Sequence, residues 1–279
     1  MSTNIRALGW AATAIAVLVP GIASSGRAPC PPDSVQVGPV CVDKYEASVW
    51  QIPPTSRSLL RKVLDGRARL DDLTKGGAVL IGCALVPDAK ANYPDNFPRT
   101  GQWTPLAGTN PPSPGVYALS IAGVRPTGCT SWFQAAQACR LSGKRLLRND
   151  EWQDAAAGTP DPNDADDGST TCATHSGDVV ATGSRTACRS NWGAYDMVGN
   201  LAEWVADWAA MARDCDGSGW RPALDVDDAV CLDPAGSPVP AAWKRGGTFL
   251  GGRRAGVFAL TGDYEPTYFD ATSGFRCAR

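Results

Sequence analysis

The first apolar run, residues 7–19, follows the single basic residue Arg6 and is broken by Pro20 and Gly21. It is shorter than the roughly 20 apolar residues needed to cross a bilayer. With the small residues of Gly21-Ile22-Ala23 at the cleavage positions, it reads as a secretory signal peptide over residues 1–23. Left uncleaved, the same run would act as an anchor. No later stretch is apolar enough to span a membrane. Residues 24–40 are rich in Pro and Ser and read as a linker or irregular start, which puts the folded domain at 41–279.

Within that domain, residues 41–50 alternate in part and predict a strand, and residues 51–57 a turn. Residues 59–73 predict a short helix with Leu59, Leu60, Val63 and Leu64 on one side, although Gly66 interrupts it. Seven prolines between 87 and 115 predict a long surface loop. The middle is better marked. Ser131 and Gln134 form an S-x-x-Q capping box for a helix over 130–141, and Gly143 stands where it stops. A second helix is expected over 150–157, with Asn149 as N-cap, Gly158 as C-cap and Trp152, Ala155 and Ala156 facing the core. Residues 158–190 are a polar, Asp- and Gly-rich excursion, and from Gly193 onward short apolar runs broken by Gly and Asp predict strands and long loops. There is no tandem repeat. One α+β domain with much irregular structure fits this pattern.

Composition narrows the setting. The net charge is −2, with Lys and Arg scattered, so no basic patch argues for nucleic acid. Ten cysteines, an even number, follow the export signal, and in an oxidising compartment they read as up to five disulfides. Structural zinc needs paired Cys-x-x-Cys or His-rich spacing. This chain has neither, and His175 is its one histidine.

Four segments, in order, carry a resemblance. The first is Cys41-Val42-Asp43-Lys44-Tyr45-Glu46. The second runs from Ser131-Trp132 through Cys139 to Gly143-Lys144-Arg145-Leu146 and Glu151-Trp152. The third is Tyr195-Asp196-Met197-Val198-Gly199-Asn200-Leu201-Ala202-Glu203-Trp204. The fourth is Arg245-Gly246-Gly247-Thr248 with the closing Gly274-Phe275-Arg276-Cys277. Together they resemble the formylglycine-generating enzyme, or sulfatase-modifying factor, family, whose motifs read S-W-x-x-A-x-x-Y-C, G-K-R-L, D-M-x-G-N-x-x-E-W, R-G-G-S and G-F-R-C.

The resemblance implies a C-type-lectin-like fold over about residues 40–279. It also exposes a departure. Active members carry two redox cysteines after the G-G-S motif that hold copper, and the matching positions here are Gly251 and Gly256. Glycine offers no thiolate to ligate Cu(I) or exchange with a substrate thiol, so no copper and no catalytic residue is expected. The iron-dependent sulfoxide synthases of the same family draw on a His-rich domain that one histidine cannot replace. Val198, Gly199, Asn200 and Glu203 match a family calcium site of hard oxygen donors. Equally, Glu203 would serve as an ion-pair partner for Arg276 or Arg245. The family joins the equivalents of Cys139 and Cys277. By proximity, Cys30 then falls to Cys41, Cys172 to Cys188 and Cys215 to Cys231, leaving Cys83 to Cys129, although sequence alone does not fix connectivity.

Other candidates have weaker patterns. His175 lacks a Ser or Cys partner in any motif and reads as a loop residue. Asp161, Asp164, Asp166 and Asp167 suggest a calcium loop or, more simply, a solvated one, because they break the EF-hand spacing. Trp204 and Trp208 read as core. The expectation is a secreted or periplasmic, monomeric binding or accessory module, with a groove for an extended peptide or a glycan. The alternative is an enzyme, either a formylglycine-generating oxidase or one using the same groove for other chemistry. Export predicts that N-terminal sequencing of the extracytoplasmic protein finds a chain beginning just after Ala23; a mature chain starting at Met1 or Ser2 would contradict the signal peptide.

Overall fold

A computed structural model of the chain describes residues 29–83, 113, 115–212, 227–231 and 239–279. The expected signal peptide and nearly all of the Pro-rich 87–115 loop lie outside these residues. Among the described residues, twelve strands form three sheets, accompanied by four α-helices. The first sheet joins the two ends of the domain in the order β1 (Ser34–Val37), β2 (Val40–Asp43), β12 (Cys277–Ala278) and β6 (Arg145–Leu146). The second orders β11 (Ser273–Phe275), β7 (Ala202–Ala210), β9 (Pro240–Arg245), β10 (Leu260–Tyr264) and β8 (Val230–Cys231). The third is β4 (Val79–Ile81), β3 (Ala47–Gln51) and β5 (Val116–Ser120).

The folded domain begins earlier than the expected residue 41. Residues 34–37 pair antiparallel with β2, Val35 opposite Val42, so part of the expected linker is a sheet strand. Lys144 holds it there, donating to Asp33 at 2.8 Å and to Asp43 at 2.7 Å. The expected strand over 41–50 is two strands, β2 and β3, which enter different sheets. The expected helix over 59–73 is likewise two, α1 (Arg57–Leu64) and α2 (Leu70–Lys75). Gly66 lies between them at φ +65°, where a Cβ would meet Pro31 at 2.8 Å. Only glycine combines that left-handed backbone with so close an approach. Leu59 and Val63 are buried, whereas Leu64, expected on the same face, is exposed.

Helix α3 (Trp132–Leu141) starts at the capping box: Ser131 accepts from Gln134 N, and the Gln134 side chain accepts from Ser131 N. Its buried stripe, Ala135, Ala138 and Cys139, packs with Val49, Val116, Trp204 and Phe275. Helix α4 (Asn149–Ala156) is capped by Arg148 rather than Asn149, because Glu151 reaches back to Arg148 N at 2.9 Å. Trp152, Ala155 and Ala156 are buried, as their spacing predicts, against Leu147, Met197 and Val205. Strand β7, nine residues long, lies in the region after Gly193 where strands and long loops are expected.

Four disulfides join Cys30 to Cys41, Cys83 to Cys129, Cys139 to Cys277 and Cys172 to Cys188. The expected Cys215–Cys231 bridge lies outside the described side chains. Cys139 and Cys277 are 138 residues apart and lie in the main core. On the chain-entropy view, closing so long a loop destabilises the unfolded chain by more than about 4 kcal/mol before native strain. The double variant Cys139→Ala/Cys277→Ala is therefore expected to lose about 2–5 kcal/mol in a denaturant titration; an unchanged midpoint would show that packing alone closes the domain.

Candidate functional site

The motif Asp196–Glu203 does not lie on the surface. It threads the centre of the molecule, where three buried carboxyl side chains, Glu46, Asp196 and Glu203, face one buried guanidinium, Arg276. Arg276 Nη2 donates to Glu203 Oε1 at 2.6 Å, and Nε lies 2.8 Å from both carboxylate oxygens. Arg276 also donates to the backbone oxygens of Asp43 and Tyr195, at 3.2 and 2.8 Å. Trp152 Nε1 donates to Glu203 Oε2 at 2.7 Å. Asn200 donates through Nδ2 to Glu46 and accepts through Oδ1 from Val180 N at 2.9 Å.

Glu203 is thus paired with Arg276, one of the two alternatives open from sequence. Arg245 turns elsewhere, donating to Gln153 and to Val257 O and lying over the Trp152 ring, 4.7 Å from its centroid. As placed, these side chains do not fit a calcium ion: Glu203 is neutralised by Arg276, and Asn200 Oδ1 already accepts a backbone N–H. Val198, Gly199, Asn200 and Glu203 act instead as a hub. Gly199 sits at φ +72°, where a Cβ would collide with Ala173 O, and it donates to Gly246 O at 3.1 Å. Asn200 donates to Ala173 O at 2.8 Å and accepts from Phe249 N at 2.9 Å through its backbone. Among the described residues no group of three or more His, Cys, Asp or Glu side chains forms a metal site.

The loop after the Gly246-Gly247 pair carries the two positions where family members place redox cysteines. Gly251 and Gly256 bracket a 3₁₀ turn, Gly252–Arg254. The two glycines differ in the space around them. A Cβ on Gly251 would meet Ala255 Cβ and Thr248 O at 3.1 Å, and one on Gly256 would strike the Asp228 carboxylate. That carboxylate is held in place, accepting from Phe258 N at 2.6 Å. Burial, with Asp161 beside it, pushes the Asp228 carboxyl up to about 6. Without thiols the pair does not fit Cu(I), which takes soft sulfur ligands.

Of the remaining candidates, Asp164 and His175 border the same 3₁₀ turn, where Arg253 N donates to Asp164 at 3.0 Å and Gly252 N to Thr174 O at 2.8 Å. His175 is an exposed loop residue whose backbone N–H donates to Asp166 at 3.1 Å. The acidic loop is engaged within the protein: Asp164 pairs with Arg253, Asp166 lies 3.5 Å from Arg185, and Asp167 accepts from the N–H groups of residues 169–171. Trp204 is buried, but Trp208, expected in the core, is 41% exposed. It packs edge-on against Trp132 and Phe133, with centroids 4.9 and 5.7 Å apart. Those two rings wall an open groove of about 560 Å³ between α3, β6 and β7. Asp228 carries no sequence signal, whereas the groove is lined in part by the second matched segment, through Trp132, Lys144, Arg145 and Leu146. Glu46 carries one too, as the last residue of the first matched segment.

The molecule is therefore an α+β domain with a buried charged centre and a Gly-rich loop beside it. A family model for the sulfatase-modifying factor enzyme 1-like domain matches residues 17–279, and the chain belongs to this family. No curated protein matches the chain. Among solved structures, the Major Tropism Determinant U1 variant is 18% identical over 90% of this chain and 53% of its own, with a TM-score of 0.44. The I1 variant is 20% identical over 58% and 45%, with a TM-score of 0.38. Treponema denticola variable protein 1 is 15% identical over 88% and 97%, also at 0.38. The chain spans about half the length of the two Major Tropism Determinant variants.

The buried centre has a titration signature. Burial raises the Glu46 carboxyl above its ordinary range, reinforced by Asp196 and Glu203, and pushes Asp196 up to about 7. A carboxyl raised from 3.8 to about 7 holds a proton in the folded state that the unfolded chain releases, so its contribution is full below pH 4 and is lost as pH rises through 7. Asp196→Asn keeps an acceptor for Gly183 N and suits the φ of +58°. At pH 8 the variant is expected to be more stable than the native protein by a few kcal/mol, with the difference vanishing near pH 4. Parallel melting curves across that range test this.

Proposed function

We propose that this chain is an exported, monomeric binding or accessory module of the sulfatase-modifying factor family that lacks formylglycine-generating oxidase chemistry. The observation that carries the reading is the Asp228 carboxylate lying in the space a side chain at position 256 would need. The oxidase reaction needs two sulfurs to exchange with a substrate cysteine and to hold copper. Here both positions are glycine, one packed closely by Ala255 and Thr248 and the other faced by a carboxylate with a fixed backbone partner.

Export is supported by the four disulfides, which persist in oxidising compartments. Among the described residues no helix is long and apolar enough to cross a membrane. The family's C-type-lectin-like fold places loops around a small twisted sheet, a rigid support of the kind on which binding residues collect. An extended peptide or a glycan on such a surface is the ligand class that fits.

Incubated with a sulfatase-type cysteine peptide, with and without copper, the purified protein is expected to leave the cysteine unmodified by mass spectrometry. Appearance of the formylglycine product would overturn this reading in favour of an oxidase working without the cysteine pair.

A further inference from the structure

The groove between α3, β6 and β7 has a charge pattern that the domain as a whole lacks. The net charge of the chain is −2. Yet among the described residues the groove is lined by Arg140, Lys144, Arg145 and Arg148 and by no acidic side chain, Asp150 and Glu151 standing beside it as partners of Arg148 and Arg145. Lys144 is buried and committed to Asp33 and Asp43. Arg145 and Arg148 pair with Glu151 and Asp150 yet remain 46% and 58% exposed. Arg140 is exposed and has no ion-pair partner among the described residues. The opposite wall is aromatic and fixed. Trp132 donates through Nε1 to Val205 O at 2.7 Å, and Phe133 stands edge-on to it at 88°.

The backbone of the groove offers little to an extended peptide. Its edge strand, β6, is two residues long. The Leu146 carbonyl accepts from the Arg145 side chain at 3.1 Å, and the Leu147 carbonyl from Ala206 N at 2.7 Å. Adding a strand there would form few main-chain bonds, which are what give such complexes their affinity. Recognition must come from side chains: planar guanidinium groups suited to bidentate contact with carboxylate or sulfate, and ring faces suited to an apolar sugar face.

We infer that this groove binds an anionic saccharide, one bearing uronate carboxylates or sulfate esters, with Arg140 and Arg148 as the charge-reading residues. This assignment rests on the binding-module reading and names its ligand class.

The test titrates the full chain with an oligogalacturonate hexasaccharide, a chondroitin sulfate hexasaccharide, neutral maltohexaose and hexaglutamate. At least one of the two anionic saccharides is expected to bind, with affinity falling as salt rises, and maltohexaose to bind at least tenfold more weakly. Arg140→Gln/Arg148→Gln, both at exposed positions, should weaken binding by tenfold or more at an unchanged melting temperature. Arg67→Gln, an arginine outside the groove, should leave binding unchanged. Equal binding by the double variant, equal loss with Arg67→Gln, tightest binding of hexaglutamate or no binding of either anionic saccharide would each overturn the assignment. If no saccharide binds while the cysteine peptide also stays unmodified, the groove assignment falls and the non-oxidase reading stands. Formylglycine formation alongside saccharide binding would do the reverse.

Discussion

Arg276 is a guanidinium with no access to solvent, and its hydrogen bonds reach parts of the chain that share no local structure. It holds Glu203 in β7, the backbone of Asp43 at the end of β2 and the backbone of Tyr195 in the central loop. A buried charge is tolerable only when paired and hydrogen-bonded, and removing one partner of such a pair typically costs about 3–5 kcal/mol. The first, third and fourth matched segments therefore converge on one electrostatic requirement. Trp152, from the second, joins them through its bond to Glu203. The same convergence leaves three carboxyl groups around one guanidinium; burial, reinforced by the neighbouring carboxyls, raises Glu46 and Asp196 above the ordinary carboxylate range.

That centre supports the neighbouring loop. Gly199 donates to Gly246, and Asn200 accepts from Phe249, so the backbone leading to Gly251 and Gly256 is tied to the hub rather than free to rearrange. Family members place thiols on this loop; here both positions are glycine, and the Asp228 carboxylate lies in the space beside Gly256. Scaffold and reaction are thus separable. The residues that hold the loop are present, and the sulfur that would do the chemistry is absent from it.

Much of the candidate site was legible in the sequence, but not in its physical role. Ordered motifs identified the family, and the capping box at Ser131 and Gln134 marked α3, because both signals depend on residues close in sequence. Glu203 had two readings, ligand or ion-pair partner, and nothing local separates them. The choice turns on Arg276, 73 residues away. Arg148 as the α4 cap has no sequence signature of its own, because its backbone N–H donates to Glu151 whatever its side chain. Residue type alone places Trp208 in the core, whereas the long β7 carries it out to the surface beside Trp132.

By itself, the sequence determined the family, the α+β class, the capping box that starts α3 and the absence of thiols at positions 251 and 256, whereas the C-cap expected at Gly158 is Ala157. Each follows from residue identity or from spacings of a few positions. Only the tertiary structure decided that residues 34–37 are a sheet strand, that Asp228 occupies the space beside Gly256, and that arginines on and beside α3 gather around one groove. Those depend on distances between residues far apart in the chain. Such distances are set by how helices and sheets pack around a shared buried charge, and no local pattern encodes them.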